Sequence, residues 1–297
     1  MLPTKDGVGP SCIALPPGSW PSVIDFLAER FDTIPRGEIE ARMLRGEVFD
    51  ATGGYVLPAQ PYQPHARLYY YRSIENETRI PFDEVVLFED DYLVVADKPH
   101  FLPVTPGGRY LQETLLVRLK RKLGLDTLAP MHRIDRETAG LVLFTRQPHT
   151  RGIYQSLFSQ REVVKRYQAI APHRANLPLP MTYRSRLAGA NHFMRMNEVA
   201  GEPNAETGIE LIEVCGELAR YRLLPITGKR HQLRVHMAAL GMPILNDQIY
   251  PDHLTKAQIE TDDYRQPLQL LAEHISFRDP LTGEARQFES RQKLSAL

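Results

Sequence analysis

The stretch MHRIDRETAGLVLF, residues 131–144, constrains the chain more than any other. It sets His132, Arg133 and Asp135 just before Thr138–Ala139–Gly140, which permit a tight turn. The apolar run Leu141–Val142–Leu143–Phe144 follows and reads as a buried strand. A charged cluster against a core strand is costly, because a carboxylate leaving water needs a partner. Such a cluster is either a structural ion-pair knot or a place where one Asp is held ready for chemistry.

A chain of 297 residues with 42% apolar content can bury a sizeable core, in one large domain or one large and one small. No apolar run approaches transmembrane length, so no membrane association is expected. MLPTKDGVGPSCIALPPGSW lacks the basic start and apolar centre of a signal peptide. Cys12 and Cys215 alone make neither a disulfide framework nor a thiolate metal site, and a cytoplasmic protein is expected. Lysine plus arginine equals aspartate plus glutamate at 36 each, so total charge selects no partner. The distribution says more. Glu75–Asp91 holds seven acidic residues and one basic, and 197–217 holds six acidic and none basic. Arg118, Lys120, Arg121 and Lys122 crowd into five positions, and 218–245 holds five basic residues and no acid. Folded to one side, the basic segments give a neutral protein a polyanion-binding face; otherwise each run is a solvated surface.

Residues 1–18 are rich in Pro and Gly and read as a loose arm. SWPSVIDFLAERF (19–31) predicts a helix on the spacing of Trp20, Val23, Ile24, Leu27 and Phe31, with Pro21 in its first turn. RGEIEARMLRGEV (36–48) reads as a second helix passing into a strand, and strands broken by Pro and Gly follow. Residues 19–78 thus form a small module. Its Arg36, Arg42, Arg45, Arg67 and Arg72 make either an RNA-facing clamp or an ordinary surface. From 79 to 297 a larger unit is expected: strands at VVLF and YLVVA, a helix over 111–124 stopped by Gly124, and a helix over 149–160 with Ile153, Leu157 and Phe158 inward. Further strands at 163–172, 181–187, 208–217 and 219–226, a helix after Thr227–Gly228, and a closing strand in 268–280 complete it. Strands outnumber helices without βαβ alternation, so the expected class is α+β, a mixed and mostly antiparallel sheet flanked by helices.

No paired carboxylates or DxD advertise two-metal or two-carboxylate chemistry, and no HExxH occurs; no metal is expected. PITGKRHQLRVH (225–236) sets Thr227–Gly228 between strand and helix, where backbone N–H groups can be presented. Arg230 and Arg234, four apart, would share a helix face, as would Leu233 and Met237. Arginine suits the bidentate holding of a buried carboxylate, although a solvated basic helix start explains the same residues. In KRYQAI (165–170), Lys165, Tyr167 and Ala169 share one strand face. A cleft-facing tyrosine can stack on a nucleobase, and tyrosines also fill cores.

Together these segments resemble the RluA-type pseudouridine synthases, the family that includes ribosomal and transfer RNA uridine isomerases. HRIDRETAG is similar to the family's HRLDxxTSG, with Ile134 for Leu and Ala139 for Ser. YLVVADKPHFLPVTPGG resembles DKPxGLxVHPG, with His100–Phe101 and Thr105 as departures. KRYQAI matches KxYxA. LPITGKRHQLRVHMAALGMPILNDQIY resembles LxTGRTHQIRVHxxxxGxPIxGDxxY, with Lys229, Arg230 and Asn246 replacing Arg, Thr and Gly. LLAEHISFRDP resembles the closing LHAxxLxFxHP strand. The likeness covers about 80–290. The module before it faintly resembles an S4-type RNA-binding domain.

The resemblance implies a pseudouridine synthase fold and isomerisation of uridines in structured rRNA or tRNA, without cofactor, by a monomer. A binding-only relative is the alternative. It also implies roles. Asp135 is the catalytic aspartate, Arg133 enters the RNA where the base leaves, and Tyr167 stacks on the target ring. Arg234 pairs with Asp135, Leu233 is the apolar residue beside it, and Lys165, Lys229 and Arg230 belong to the RNA-binding side. His132 either organises the loop or meets substrate.

Overall fold

The computed structural model describes residues 3–74, 76–190, 195–251 and 263–295. Glu75 of the acidic run and the two residues at each end of the chain lie outside them. The first unit contains β1 (Ser11–Ala14), α1 (Val23–Arg30), α2 (Arg36–Leu44), β2 (Val48–Phe49) and β3 (Arg67–Tyr70). Its three strands pair antiparallel in the order β1-β3-β2. Val23, Ile24 and Leu27 of α1 and Ile39 and Met43 of α2 pack with Leu68 of β3. The first helix starts later than its periodicity predicts, because Ser22 caps it: the Ser22 N–H and hydroxyl donate to the Asp25 carboxylate at 3.0 and 2.6 Å. Pro21 precedes the cap.

The arm expected to be loose is not. Its 11–14 stretch is an edge strand, and Val8 is buried against Leu111, Val117 and Ile74. Its few apolar residues, Val8, Ile13 and Leu15, are spaced too irregularly to show a pattern, yet each finds a pocket.

The second unit is built on one sheet. Its strands are β4 (Val85–Glu89), β5 (Leu93–Lys98), β6 (Ala129–Pro130), β7 (Ala139–Thr145), β8 (Val164–Pro172), β9 (Met181–Gly189) and β10 (Met196–Val199). β11 (Ala205–Cys215), β12 (Leu218–Pro225), β13 (Leu270–Arg278) and β14 (Ala285–Glu289) complete the set. The order is β10-β9-β11-β12-β8-β13-β7-β5-β4, with β14 beside β13 and β6 beside β7. Only β13 and β7 run parallel. The helices are α3 (Leu115–Leu123), α4 (Arg151–Ser159) and α5 (Gln232–Ala239). This is the expected α+β class. No helix among the described residues is long and apolar enough to cross a membrane.

β5 and β7 are buried on both faces, which explains their unbroken apolar runs. Val94, Ala96, Val142 and Phe144 meet Leu115 and Leu119 of α3; Leu93, Val95, Leu141 and Leu143 meet Tyr154 and Leu157 of α4. In α4 the expected inward Ile153 is 41% exposed, and Tyr154 takes the buried place because its hydroxyl donates to the buried Asp279 carboxylate at 3.0 Å. The helix expected from 111 begins at Leu115. The N–H groups of Leu111, Gln112 and Glu113 are taken instead by the Glu77 carboxylate, at 2.6, 2.8 and 2.9 Å. Gly140 does not make the turn. It lies inside β7 at φ +109, where a Cβ would overlap the carbonyl of Ala272 in β13.

Candidate active site

Asp135 sits in the turn between β6 and β7, where its carbonyl accepts the Thr138 N–H at 3.2 Å. Two main-chain clamps shape this turn. The His132 Nε2 accepts the Leu143 N–H at 3.2 Å while its ring stacks on Phe158, centroids 4.7 Å apart. The Lys98 ammonium, at the buried end of β5, donates to the carbonyls of Pro99 and Arg136, each at 3.0 Å. Burial pushes His132 down to about 3 and Lys98 down to about 7. His132 therefore stays neutral with Nε2 committed to the backbone.

From the other side comes α5. Arg234 is 1% exposed and donates to two carboxylates. Its Nε and Nη2 grip Asp247 at 2.8 and 2.7 Å, and its Nη1 reaches the Asp135 Oδ2 at 3.0 Å. Burial opposes charge on Asp135. The Arg234 guanidinium, by its charge and its hydrogen bond, outweighs it with help from Lys98 and holds the carboxyl below its usual range. Arg234, raised above its ordinary value by Asp247 and Asp135 against the pull of burial, supplies the permanent charge. The Asp135 Oδ1 faces the His231 Nε2 at 3.8 Å.

All nine residues singled out from the sequence line one cleft of about 760 Å³: His132, Arg133, Asp135, Lys165, Tyr167, Lys229, Arg230, Leu233 and Arg234. Lys165 and Tyr167 project from the same face of β8, as the strand alternation requires. Burial and the Asp135 charge push the Tyr167 phenol up, so it stays protonated. Exposed Arg133 has no hydrogen-bond or ion-pair partner among the described residues.

One expectation fails here and another is narrowed. Arg230 and Arg234 do not share a helix face: α5 begins at Gln232, and exposed Arg230 donates to the Arg195 carbonyl at 3.0 Å. Nor does the Thr227–Gly228 turn offer a free N–H at Lys229, since the Gln232 Oε1 accepts it at 3.1 Å. The same Oε1 accepts the Thr227 hydroxyl at 2.6 Å. Sequence reasoning also missed Asp247, Lys98 and His231. A carboxylate set between Leu245 and Ile249–Tyr250 was the available sign for Asp247, which also accepts the N–H groups of Ile249 and Tyr250 at 2.8 and 3.1 Å.

The RNA pseudouridylate synthase family model matches residues 92–239. The dual-specificity RNA pseudouridine synthase RluA of Pasteurella multocida is 34% identical over 218 residues, covering 71% of this chain and 93% of that protein. The mitochondrial tRNA pseudouridine(32) synthase of Saccharomyces cerevisiae is 34% identical over 170 residues, 56% of this chain and 36% of that protein. Human RNA pseudouridylate synthase domain containing 4 shares the fold with a TM-score of 0.54 at 26% identity, over 71% of this chain and 88% of that one. With the sheet, the cleft and the HRID turn at its floor, these likenesses place the chain: it belongs to the RNA pseudouridine synthases, on the RluA-type branch.

Proposed function

We propose that the enzyme isomerises particular uridines in structured RNA, tRNA or rRNA, using Asp135 as its catalytic group. The observation that carries this reading is an ionised aspartate, fixed by a buried arginine, on the floor of a cleft that also holds Tyr167. The target base must leave its stack, and unpartnered Arg133 at the cleft can fill the gap. Asp135 then acts on the sugar, either bonding C1′ or taking the C2′ proton. The N1–C1′ bond breaks with its electron pair left on uracil. Tyr167 retains the detached ring by stacking while it turns, and C5 bonds C1′. Arg234 keeps Asp135 ionised and oriented throughout.

Lys165, Lys229 and Arg230 line the same cleft as cations for the phosphates flanking the target. Leu233 supplies apolar wall beside Arg234. The enzyme is proposed to act as a monomer. Two free, exposed cysteines fit a reducing compartment, the cytoplasm. Residues 1–78 form an accessory RNA-facing module of S4-like kind, and 79–297 the synthase proper. Arg36, Arg42 and Arg45 are engaged inside that module, with Asp25, Glu47 and Glu47 again, and Arg72 reaches the Gly108 carbonyl beyond it. Of the five, exposed Arg67 alone has no hydrogen-bond or ion-pair partner among the described residues and is offered to RNA.

Pseudouridine mapping of total RNA tests the reading, in a strain lacking the gene and in the same strain carrying wild type or Asp135→Asn. One or a few sites should vanish and return only with wild type. Restoration by Asp135→Asn would refute the role of Asp135. Unchanged sites in the deletion strain would favour the binding-only alternative.

A further inference from the structure

One step of this isomerisation has no group assigned to it. Once C5 has bonded to C1′, C5 still carries its hydrogen and the ring holds an N1=C6 double bond. The C5–H bond must break and its electron pair form C5=C6. The former N1=C6 pair moves to N1, which takes up a proton. The proton lost at C5 balances the proton gained at N1, so a single base that accepts and returns it suffices.

Most groups in the cleft cannot be that base. His132 has committed Nε2 to the Leu143 N–H. Tyr167 keeps its phenolic proton. Lys165 turns its ammonium toward the Thr227 carbonyl at 3.4 Å. Asp135, held below its usual range by its cationic neighbours, is a weak base. His231 differs from all of these. It lines the cleft, with Nε2 3.8 Å from the one Asp135 oxygen that Arg234 does not hold. Its Nδ1 lies 3.0 Å from the Tyr250 hydroxyl. That hydroxyl accepts the Met196 N–H at 2.8 Å and donates to the Met196 carbonyl at 3.2 Å. Its remaining lone pair takes an N–H from Nδ1, which leaves Nε2 bare and facing the cleft. Burial keeps the ring below its ordinary range, hence neutral. The backbone is also strained. His231 sits at φ 54, ψ 16, a left-handed conformation costing a non-glycine residue about 1–2 kcal/mol, yet its side chain caps nothing on α5. Aiming the ring into the cleft accounts for that strain.

We infer that the His231 Nε2 removes the C5 proton and returns it to N1, with Asp135 facing the imidazolium so formed. In either route at the sugar, the Asp135 carboxylate is free again once the C5–C1′ bond exists, and it stabilises the transient cation as a buried carboxylate supports a catalytic histidine elsewhere. The inference rests on the uridine isomerisation proposed above.

The full chain is tested on a pool of unmodified tRNA and rRNA transcripts from the host, made with uridine, 5-deuterouridine or 5-fluorouridine. His231→Gln and His231→Asn should turn over uridine RNA about 100-fold or more slowly. Deuterium at C5 should slow both variants further and more than it slows wild type. On 5-fluorouridine RNA no C5 hydrogen has to leave, and both variants should form rearranged product at the wild-type rate. Equal slowing on uridine and 5-fluorouridine RNA, or no enlarged isotope effect, would overturn the assignment and make His231 structural. Failure of the wild-type chain itself on uridine RNA would instead overturn the isomerase reading beneath it.

Discussion

Arg234 divides its guanidinium between two carboxylates, and its bidentate grip is on Asp247, away from the reacting one. This division has a consequence. Asp247 fixes the arginine, and the arginine fixes Asp135, so the orientation of the catalytic group is set by a residue that need not touch RNA. Asp247→Asn keeps the shape but leaves a buried guanidinium short of one charge. We expect about 3 kcal/mol lost in urea denaturation, because a broken buried pair is costly, and a fall in kcat with little change in RNA affinity. A change confined to affinity would remove Asp247 from this role. Tyr167→Phe should retain the ring that stacks and bind RNA nearly normally, whereas Tyr167→Ala should lose most activity; equal behaviour of the two would exclude stacking. Asp135, Tyr167 and Arg234 were legible in the sequence because each stands in a motif with its chemistry on its face. Asp247, Lys98 and His231 were not. The contacts that tie them to the site, Asp247 to Arg234, Lys98 to the Arg136 carbonyl and His231 to Asp135 and Tyr250, all span more than ten residues.

At the scale of elements, legibility followed burial. β5 and β7 could be read from their unbroken apolar runs because both faces of the sheet are covered there. Edge strand β10, with three of its four residues exposed, carries no such pattern and went unread. Helix starts were misplaced wherever a side chain from elsewhere claimed the first N–H groups, as Glu77 does ahead of α3. Gly140 shows what a local reading cannot supply. Its neighbours predict a turn, but its necessity comes from β13, the parallel strand pressed against it. Gly140→Ala should cost about 2–5 kcal/mol, from the left-handed backbone and the overlap with Ala272 together. Gly124→Ala is also left-handed, at φ 66, but a Cβ there meets nothing, and it should cost only about 1 kcal/mol. Urea midpoints of the two variants compare the terms directly; equal losses would deny the close approach at Gly140.

The whole molecule buries several neutral histidines, and this sets its response to acid. Burial lowers His132 to about 3, and His100 and His236 each to about 4, against 6.5 in the unfolded chain. Between pH 6.5 and 4 the unfolded state therefore binds protons that the folded state refuses. Their contribution to stability is complete above pH 6.5 and is lost progressively as pH falls toward 4. Urea midpoints at pH 7.5, 6 and 5 should decline in that order, and His236→Gln should flatten the decline; an unchanged slope would mean that His236 is charged when folded. The docking of the first residues was not legible, since Val8 is a single apolar residue among Pro and Gly.

At the end of β5, two adjacent side chains have separate duties. Lys98 holds the Asp135 turn, and the Asp97 carboxylate takes the Ser290 hydroxyl, the Arg291 N–H and the Gln292 amide at 2.8, 2.7 and 2.9 Å. Those donors lie 193 to 195 positions further along the chain. During synthesis the first unit has all its strands in hand once Tyr70 has emerged. The central sheet must wait for β13 to enter beside β7, and Asp97 must wait for Ser290, Arg291 and Gln292. A chain interrupted before β13 thus holds all three strands of the first sheet but lacks the strand that presses on Gly140 beside the cleft.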